Sequence, residues 1–398
     1  MNALSLASLT SWIALVAAAG WIRGRFLALL FAVVLGLHTL AAIALVDAFA
    51  GLWPLWIGLQ VATYGHFLAL VRPRMRPWPW RALVAVPASY FVAATFLALP
   101  WALAASLGFE PRGLWIPFAF AAIGLVESLW TRAEVVDLRL DGVDAGAAVV
   151  PYPGGRSRAR GAGEGEGALT IVQITDPHLG PFMSEARLRR ICARAVERDP
   201  DLVLLTGDFL TLESHADPTI LARALAPLAA LEGRVFACLG NHDYEAPAIV
   251  VGAMRAIGAR LLVDREAIVE TRAGPVQILG FDFVWRGREA HMREVCEAHP
   301  RREGHLRIGL LHDPGAFRHL PAGAVDLVFA GHTHGGQLGL VSFGLGWTVL
   351  RSLSSLPDHG LWARGRERLY VHRGTGHYGF PMRVGVPAEE SLVRIHRA

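Results

Sequence analysis

Five apolar stretches, around residues 4–22, 26–46, 52–71, 82–107 and 113–130, crowd the first third of this 398-residue chain. Most approach or exceed the roughly 20 residues that an α-helix needs to cross a bilayer, the first and last being marginal. The chain is 53% hydrophobic with a mean hydropathy of +0.38. That is too apolar for an ordinary soluble protein of this length, and the excess lies before about residue 131. Residues 1–131 are therefore expected to form a transmembrane domain of about five helices, and 132–398 a separate domain. A cleavable leader is disfavoured, because no basic segment precedes the first stretch and further spans follow at once.

The arginines orient these spans. Arg23 and Arg25 follow the first, and Arg72, Arg74, Arg76 and Arg81 follow the third. The connections after the second and fourth hold none and only Arg112, and Arg132 follows the fifth. Basic loops stay cytoplasmic, so five spans give an N-terminus outside and a C-terminal domain inside. Trp53, Trp56, Trp78, Trp80, Trp101, Trp115 and Trp130 cluster near the expected span ends, as interfacial belts do. Asp47, His66 and Glu127 lie close to span ends, whereas His38 is near mid-span, where an ionisable group is a candidate for function as well as for helix packing. Cys192, Cys238 and Cys296 are odd in number and spread out, which gives no disulfide framework.

Beyond residue 131 the pattern changes. Residues 132–140 read as a short strand, and 151–167 as a Gly/Arg/Glu-rich flexible loop. Short apolar runs then alternate with helical patterns at about 184–197, 218–230, 246–257 and 287–298, which is an α/β arrangement. Each run delivers polar groups at its C-terminal end. Leu169–Ile174 leads to Asp176 and His178, Leu202–Leu205 to Asp208, and Val235–Leu239 to Asn241, His242 and Asp243. Leu306–Leu311 leads to His312, and Val325–Ala330 to Gly331-His332-Thr333-His334-Gly335-Gly336. Ligand sites of open α/β sheets lie at such strand ends. A Gly-His-x-His turn there aims two neutral imidazoles at adjacent points, which suits a metal better than packing. The sequence pI is near 9.3, but the net charge is only +4 and every basic residue is arginine. No basic patch interleaved with aromatics appears after residue 131, so nucleic-acid binding is rejected, and the arginine excess fits anionic lipid headgroups.

The motif order D-x-H, G-D, G-N-H-D, H, G-H-x-H resembles that of the calcineurin-like metallophosphoesterase superfamily from about Ala168 to the C-terminus, somewhat over half of the chain. Gly331–Gln337, with Tyr370-Val371-His372-Arg373-Gly374-Thr375-Gly376, resembles its bacterial membrane-associated branch. The resemblance implies two packed mixed β-sheets flanked by helices, an α-β-β-α sandwich. It implies one divalent metal on Asp176, His178 and His334, a second on Asn241, His312 and His332, and Asp208 bridging both. Oxygen and nitrogen ligands together favour Mn, with Fe or Zn as alternatives, over Ca. A hydroxide shared by the two ions would attack phosphorus in line. His242 would serve the leaving oxygen. Phosphatases of this superfamily that act on proteins carry G-D-x-x-D-R-G, but this chain reads Gly207-Asp208-Phe209-Leu210-Thr211-Leu212-Glu213. The acid that orients the histidine is missing there, so His242 must be oriented otherwise, by Asp243 or a backbone carbonyl.

The expectation is thus a multi-pass enzyme of the bacterial inner membrane, its catalytic domain cytoplasmic, that hydrolyses a phosphodiester or pyrophosphate. Its location favours a lipid-linked substrate. The alternatives are a tethered phosphatase or phosphodiesterase of soluble substrates and a non-catalytic scaffold or sensor with a vestigial domain. His215, His291, His299, His305, His319 and His396 are expected to be solvated, while His359, His372 and His377 are left between substrate contact and structure.

Overall fold

The computed structural model describes residues 3–153, 155–159, 167–377, 379 and 382–397. The chain divides into two compact units. The first takes in Met1–Leu129 with Leu212–Asp217 and Gly379–Val384, and the second Trp130–Thr211, Pro218–Tyr378 and Gly385–Ala398. The main break falls between Leu129 and Trp130.

In the first unit, three helical segments are long and apolar enough to cross a membrane: Ala3–Arg23, Arg25–Val71 and Trp78–Leu97. The 47-residue middle segment bends through the 3-10 turn Val46–Leu52, where Phe49 leaves helical geometry, giving arms of 21 and 19 residues. The fifth apolar stretch is shorter than its 18 or so apolar residues suggest. Gly113, with φ 72°, turns the chain before it, and strand formation from Thr131 ends it, so only Trp115–Ser128 is helical. Fourteen residues span about 21 Å at 1.5 Å each, short of the roughly 30 Å hydrocarbon layer. Trp78, Trp115 and Trp130 are exposed as belts require, but Trp56 is buried, packed against Phe49 and Phe91 at ring separations of 4.5 and 4.8 Å. His38 is buried, with Nδ1 2.8 Å from Thr95 Oγ1 and Nε2 3.3 Å from Gln60 Oε1. Both ring nitrogens are engaged, which is the helix-packing role.

Among the described residues, the second unit is built from fourteen strands: β1 Thr131–Leu140, β2 Val150–Pro151, β3 Gly155–Ala159, β4 Leu169–Ile174, β5 Leu202–Leu205, β6 Val235–Ala237, β7 Arg260–Leu261, β8 Arg265–Thr271, β9 Gly274–Gly280, β10 Leu306–Leu310, β11 Leu327–Ala330, β12 Gly360–Arg364, β13 Glu367–Val371 and β14 Ala388–Arg397. They form two mixed seven-stranded sheets, in the orders β3-β1-β14-β4-β5-β6-β7 and β2-β12-β13-β11-β10-β9-β8. Within the stretch 151–167, read as a loop, Gly155–Ala159 pairs antiparallel with β1, because an edge strand offers unpaired N–H and C=O groups that invite a partner. Residues 154 and 160–166 of that stretch lie outside the described ones.

Side-chain alternation explains the layering. Leu169 and Ile171 of β4, Leu202 and Leu204 of β5, Ile308 and Leu310 of β10, and Leu327 and Phe329 of β11 meet in one core between the sheets. The alternate residues Val328 and Ala330 of β11 face a second core, with Met292, Val295 and Phe317 from flanking helices. Strands buried on both faces read as unbroken apolar runs, which is why they stand out in the sequence. The flanking helices Glu185–Glu197, Pro247–Ala256 and Arg288–Ala298 match the predicted ones, whereas the one expected at about 218–230 is α-helical only over Ile220–Leu225 and continues as a 3-10 helix over Ala226–Leu231. At the end of β13 the buried Arg373 reaches Glu134 of β1 at 2.5 Å and Glu389 of β14 at 3.4 Å, and Tyr370 donates to Glu389. Breaking a buried ion pair typically costs about 3–5 kcal/mol, so this group ties one sheet to the other beside the strand ends.

Candidate metal centre

The strands β4, β5 and β6 run parallel in one sheet, and β9, β10 and β11 in the other. Their carboxyl ends deliver all eight sequence-predicted residues. Asp176 and His178 follow β4, Asp208 follows β5, Asn241 and His242 follow β6, His312 follows β10, and His332 and His334 follow β11. Two clusters result, Asp176 with His178 and His334, and Asp208 with His312 and His332, each with its donor atoms within 4.8 Å of one another. Asp208 Oδ2 lies 3.1 Å from His312 Nε2 and 3.8 Å from His178 Nε2. It therefore faces donors of both clusters.

The local backbone is bent to achieve this. Among the described residues eight that are not glycine have positive φ, and five of them are Asp176, His178, Asp208, His332 and His334, at 44–69°. Such conformations cost of order 1–3 kcal/mol each and persist where surrounding structure over-determines them, typically at functional sites. The neighbouring glycines are there for space. A Cβ on Gly331 would strike the Asp176 carboxylate, and one on Gly240 would strike that of Asp208.

Hydrogen bonds fix the aim of Asp176 and His312. Asp176 accepts from Thr175 Oγ1 at 2.7 Å and from the amide of His332 at 3.0 Å. His312 Nδ1 lies 2.8 Å from the Thr206 carbonyl oxygen. A carbonyl only accepts, so that nitrogen carries the proton and Nε2 is directed at the centre. Asp243 accepts from the amides of Asp208, Phe209 and Gly240 at 2.8–2.9 Å. It locks two metal-bearing turns together and leaves no role beside His242, contrary to the expectation that it orients that ring. A carboxylate not singled out in the sequence does so: Glu245 Oε1 lies 2.7 Å from His242 Nδ1. Phe283, after β9, also went unrecognised, since a lone aromatic carries no chemical signature. Its ring lies 6.1 Å from His312 and 6.3 Å from His332.

The late histidines are buried. His372 Nδ1 accepts from the amide of Gly374 at 3.0 Å, His359 sits 3.1 Å from Asp358, and the His377 ring packs at 4.6 Å on Phe182. Of those expected to be solvated, His291 is instead tied to Asp264 at 2.9 Å.

The donor set fits divalent cations. His178 Nε2 is 3.2 Å from His334 Nε2, and His332 Nδ1 is 3.2 Å from His312 Nε2. Facing lone pairs at that distance repel unless a cation or a proton lies between. Asn241 Oδ1 is buried with no hydrogen-bond partner among the described residues, an acceptor that asks for a cation. Burial pushes the Asp176 carboxyl up to about 6 and the His178 imidazole down to about 3. Burial would lower His312 too, but the adjacent Asp208 carboxylate outweighs it and holds the imidazole up at about 10.

Ligation requires deprotonated donors, so the sign follows. At neutral pH His312 must lose its proton before it binds a metal, and below about pH 6 Asp176 must as well. We expect Mn affinity to rise with pH between 6 and 8, with at least one proton released per loaded centre. Calorimetric titration in buffers of different ionisation heat checks this, and uptake without proton release contradicts it. We further expect Asp208→Asn to abolish activity and to lower occupancy of both positions, since a neutral amide bridges two cations poorly. Elemental analysis of the purified variant reads it out, and two ions retained per chain would refute the bridge.

The family model for the calcineurin-like phosphoesterase matches residues 169–336, the span that carries all eight residues. The phosphodiesterase YaeI of Escherichia coli is 28% identical over 211 residues, covering 52% of this chain and 74% of that protein. The UDP-2,3-diacylglucosamine pyrophosphatase LpxG of Chlamydia trachomatis is 27% identical, over 52% of this chain and 78% of its own. An uncharacterized metallophosphoesterase of Aquifex aeolicus is 34% identical over 240 residues, 57% of this chain and 85% of that one. The chain belongs to the calcineurin-like metallophosphoesterase family and is a metal-dependent phosphoric ester hydrolase.

Proposed function

We propose that this chain is a membrane-anchored phosphoesterase with two divalent metals, Mn foremost, that cleaves the phosphodiester or pyrophosphate bond of a lipid-linked substrate at the cytoplasmic face of the bacterial inner membrane. The observation that carries the dinuclear reading is the pair of donor clusters with Asp208 facing donors of both. When bound, two such ions polarise a phosphoryl oxygen and acidify a water. The chain's own residues do the rest. Asp176, His178 and His334 hold one position, Asn241, His312 and His332 the other, and Asp208 spans both. His242, at the rim and 5.6 Å ring to ring from His178, gives a proton to the departing oxygen.

The lipid-linked reading is supported by a hairpin that leaves the metal turn directly. From Leu338 to Leu350 there is no charged residue. The hairpin is closed by Leu340 N to Trp347 O and Val349 N to Leu338 O, both at 2.9 Å, and its base is pinned by the buried Asp358, which accepts from Thr348 and Arg351. Its side chains point outward all the same: Phe343 is 76% exposed, with Leu345 and Trp347 exposed beside it, and Leu353 on the helix that follows is 81% exposed. Contiguous apolar surface of this kind marks an interaction site, and acyl chains match its chemistry. The pyrophosphatase relative, whose named substrate is diacylated, is in keeping with this.

Replacing Phe343, Leu345 and Trp347 together by serine should lower kcat/KM for a diacylated nucleotide diphosphate sugar in mixed micelles far more than for bis(4-nitrophenyl) phosphate. Equal effects on both would favour a tethered enzyme of soluble substrates. The arginines at Arg23, Arg25 and 72–81 support the cytoplasmic orientation. A fluorescent reporter that matures only in the cytoplasm, fused after Ala398, should light up, and a periplasm-active phosphatase at that point should be silent. The reverse result would mean an even number of spans, with the 14-residue helix Trp115–Ser128 as the one that fails to cross.

A further inference from the structure

His242 opens the short turn His242–Glu245 that follows Asn241. Its amide donates to Asp208 Oδ1 at 2.9 Å, which ties the residue's backbone to the bridging carboxylate. Its side chain is held from the other side, where Nδ1 meets Glu245 Oε1 at 2.7 Å. A carboxylate only accepts, so Nδ1 carries the proton, and Nε2 is the nitrogen left to face away from Glu245. The two acids that sequence considerations would put in this role do not fill it. Gly207–Glu213 lacks the second aspartate of the protein-phosphatase motif, and Asp243 is occupied by three backbone amides.

We infer that Glu245 is a positioning residue: it accepts from Nδ1–H, fixes the ring plane of His242 and supports the doubly protonated ring, whose Nε2–H is the proton given to the leaving oxygen. The carboxylate that related enzymes would draw from a different turn is supplied here by the histidine's own turn, three residues on. The Glu245 side chain is 41% exposed, and an exposed pair contributes little to stability, so its removal leaves the fold in place. The inference rests on the reading of His242 as the leaving-group donor, and the two can fail separately.

The test uses the full chain in detergent, loaded with Mn, and the 4-nitrophenyl and phenyl esters of thymidine 5′-phosphate, which differ only in how much protonation the departing group needs. His242→Ala should lower kcat on the phenyl ester by about 10²–10⁴-fold. Glu245→Ala should lower it by about 10–100-fold, the range for losing a carboxylate that orients a functional imidazole. Both losses should shrink on the 4-nitrophenyl ester, with KM and metal content unchanged. Glu245→Gln, which keeps an acceptor oxygen, should retain more activity than Glu245→Ala. The decisive result is the double variant: His242→Ala/Glu245→Ala should be no slower than His242→Ala alone, because Glu245 acts only through the ring. A further loss in the double variant, an unchanged Glu245→Ala enzyme, or lost metal overturns the role of Glu245 while leaving that of His242 intact. A His242→Ala loss equal on both esters overturns both.

Discussion

Two buried carboxylates, Asp176 and Asp208, share one centre with four imidazoles, and the rest of the catalytic unit answers to that fact. His178 Nε2 and His312 Nε2 each lie within 4.0 Å of both acids. Like charges out of water are costly unless paired, and imidazole nitrogens 3.2 Å apart have nothing to gain from one another. Such an assembly holds together only around positive charge. The left-handed backbone at five of the donors is the strain accepted to converge them.

Convergence of this kind needs a stiff frame. The donors come from the ends of five strands in two different sheets, so the relative placement of the sheets sets the distances. The apolar core between them fixes that placement non-directionally. The Arg373 group, joining β13 to β1 and β14, and Asp243, joining the turns after β5 and β6, add the directional constraints. The hairpin from Leu338 follows a different rule. Its base is held by hydrogen bonds to Asp358, but its apolar side chains stay exposed.

Much of this was legible in the residues. The strands that carry the donors are buried on both faces, so their sequences are unbroken apolar runs, and the turn chemistry at their ends is dense in Gly, Asp and His. Ligand identity follows from residue type, because few side chains other than imidazole, carboxylate and carboxamide serve a divalent first-row metal. What misled was linear proximity. Asp243 adjoins His242 and looked like its partner, yet a 3-10 turn brings residue i+3, Glu245, onto the histidine's side and sends Asp243 inward to three amides. The 14-residue helix at Trp115–Ser128 misled for a related reason, since apolarity extends beyond the residues that keep helical geometry.

By itself, then, the sequence determined the period and burial of each element, the two-part organisation of the chain and the list of candidate ligands, because these depend on residue type and local spacing. Only the tertiary structure decided which ligand faces which, that Asp208 faces donors of both clusters, and that Glu245 is the acid on His242. Those are distances between segments as much as 156 residues apart, such as His178 and His334. They are set by how two sheets pack, a collective result of many non-directional contacts that no local stretch of chain encodes.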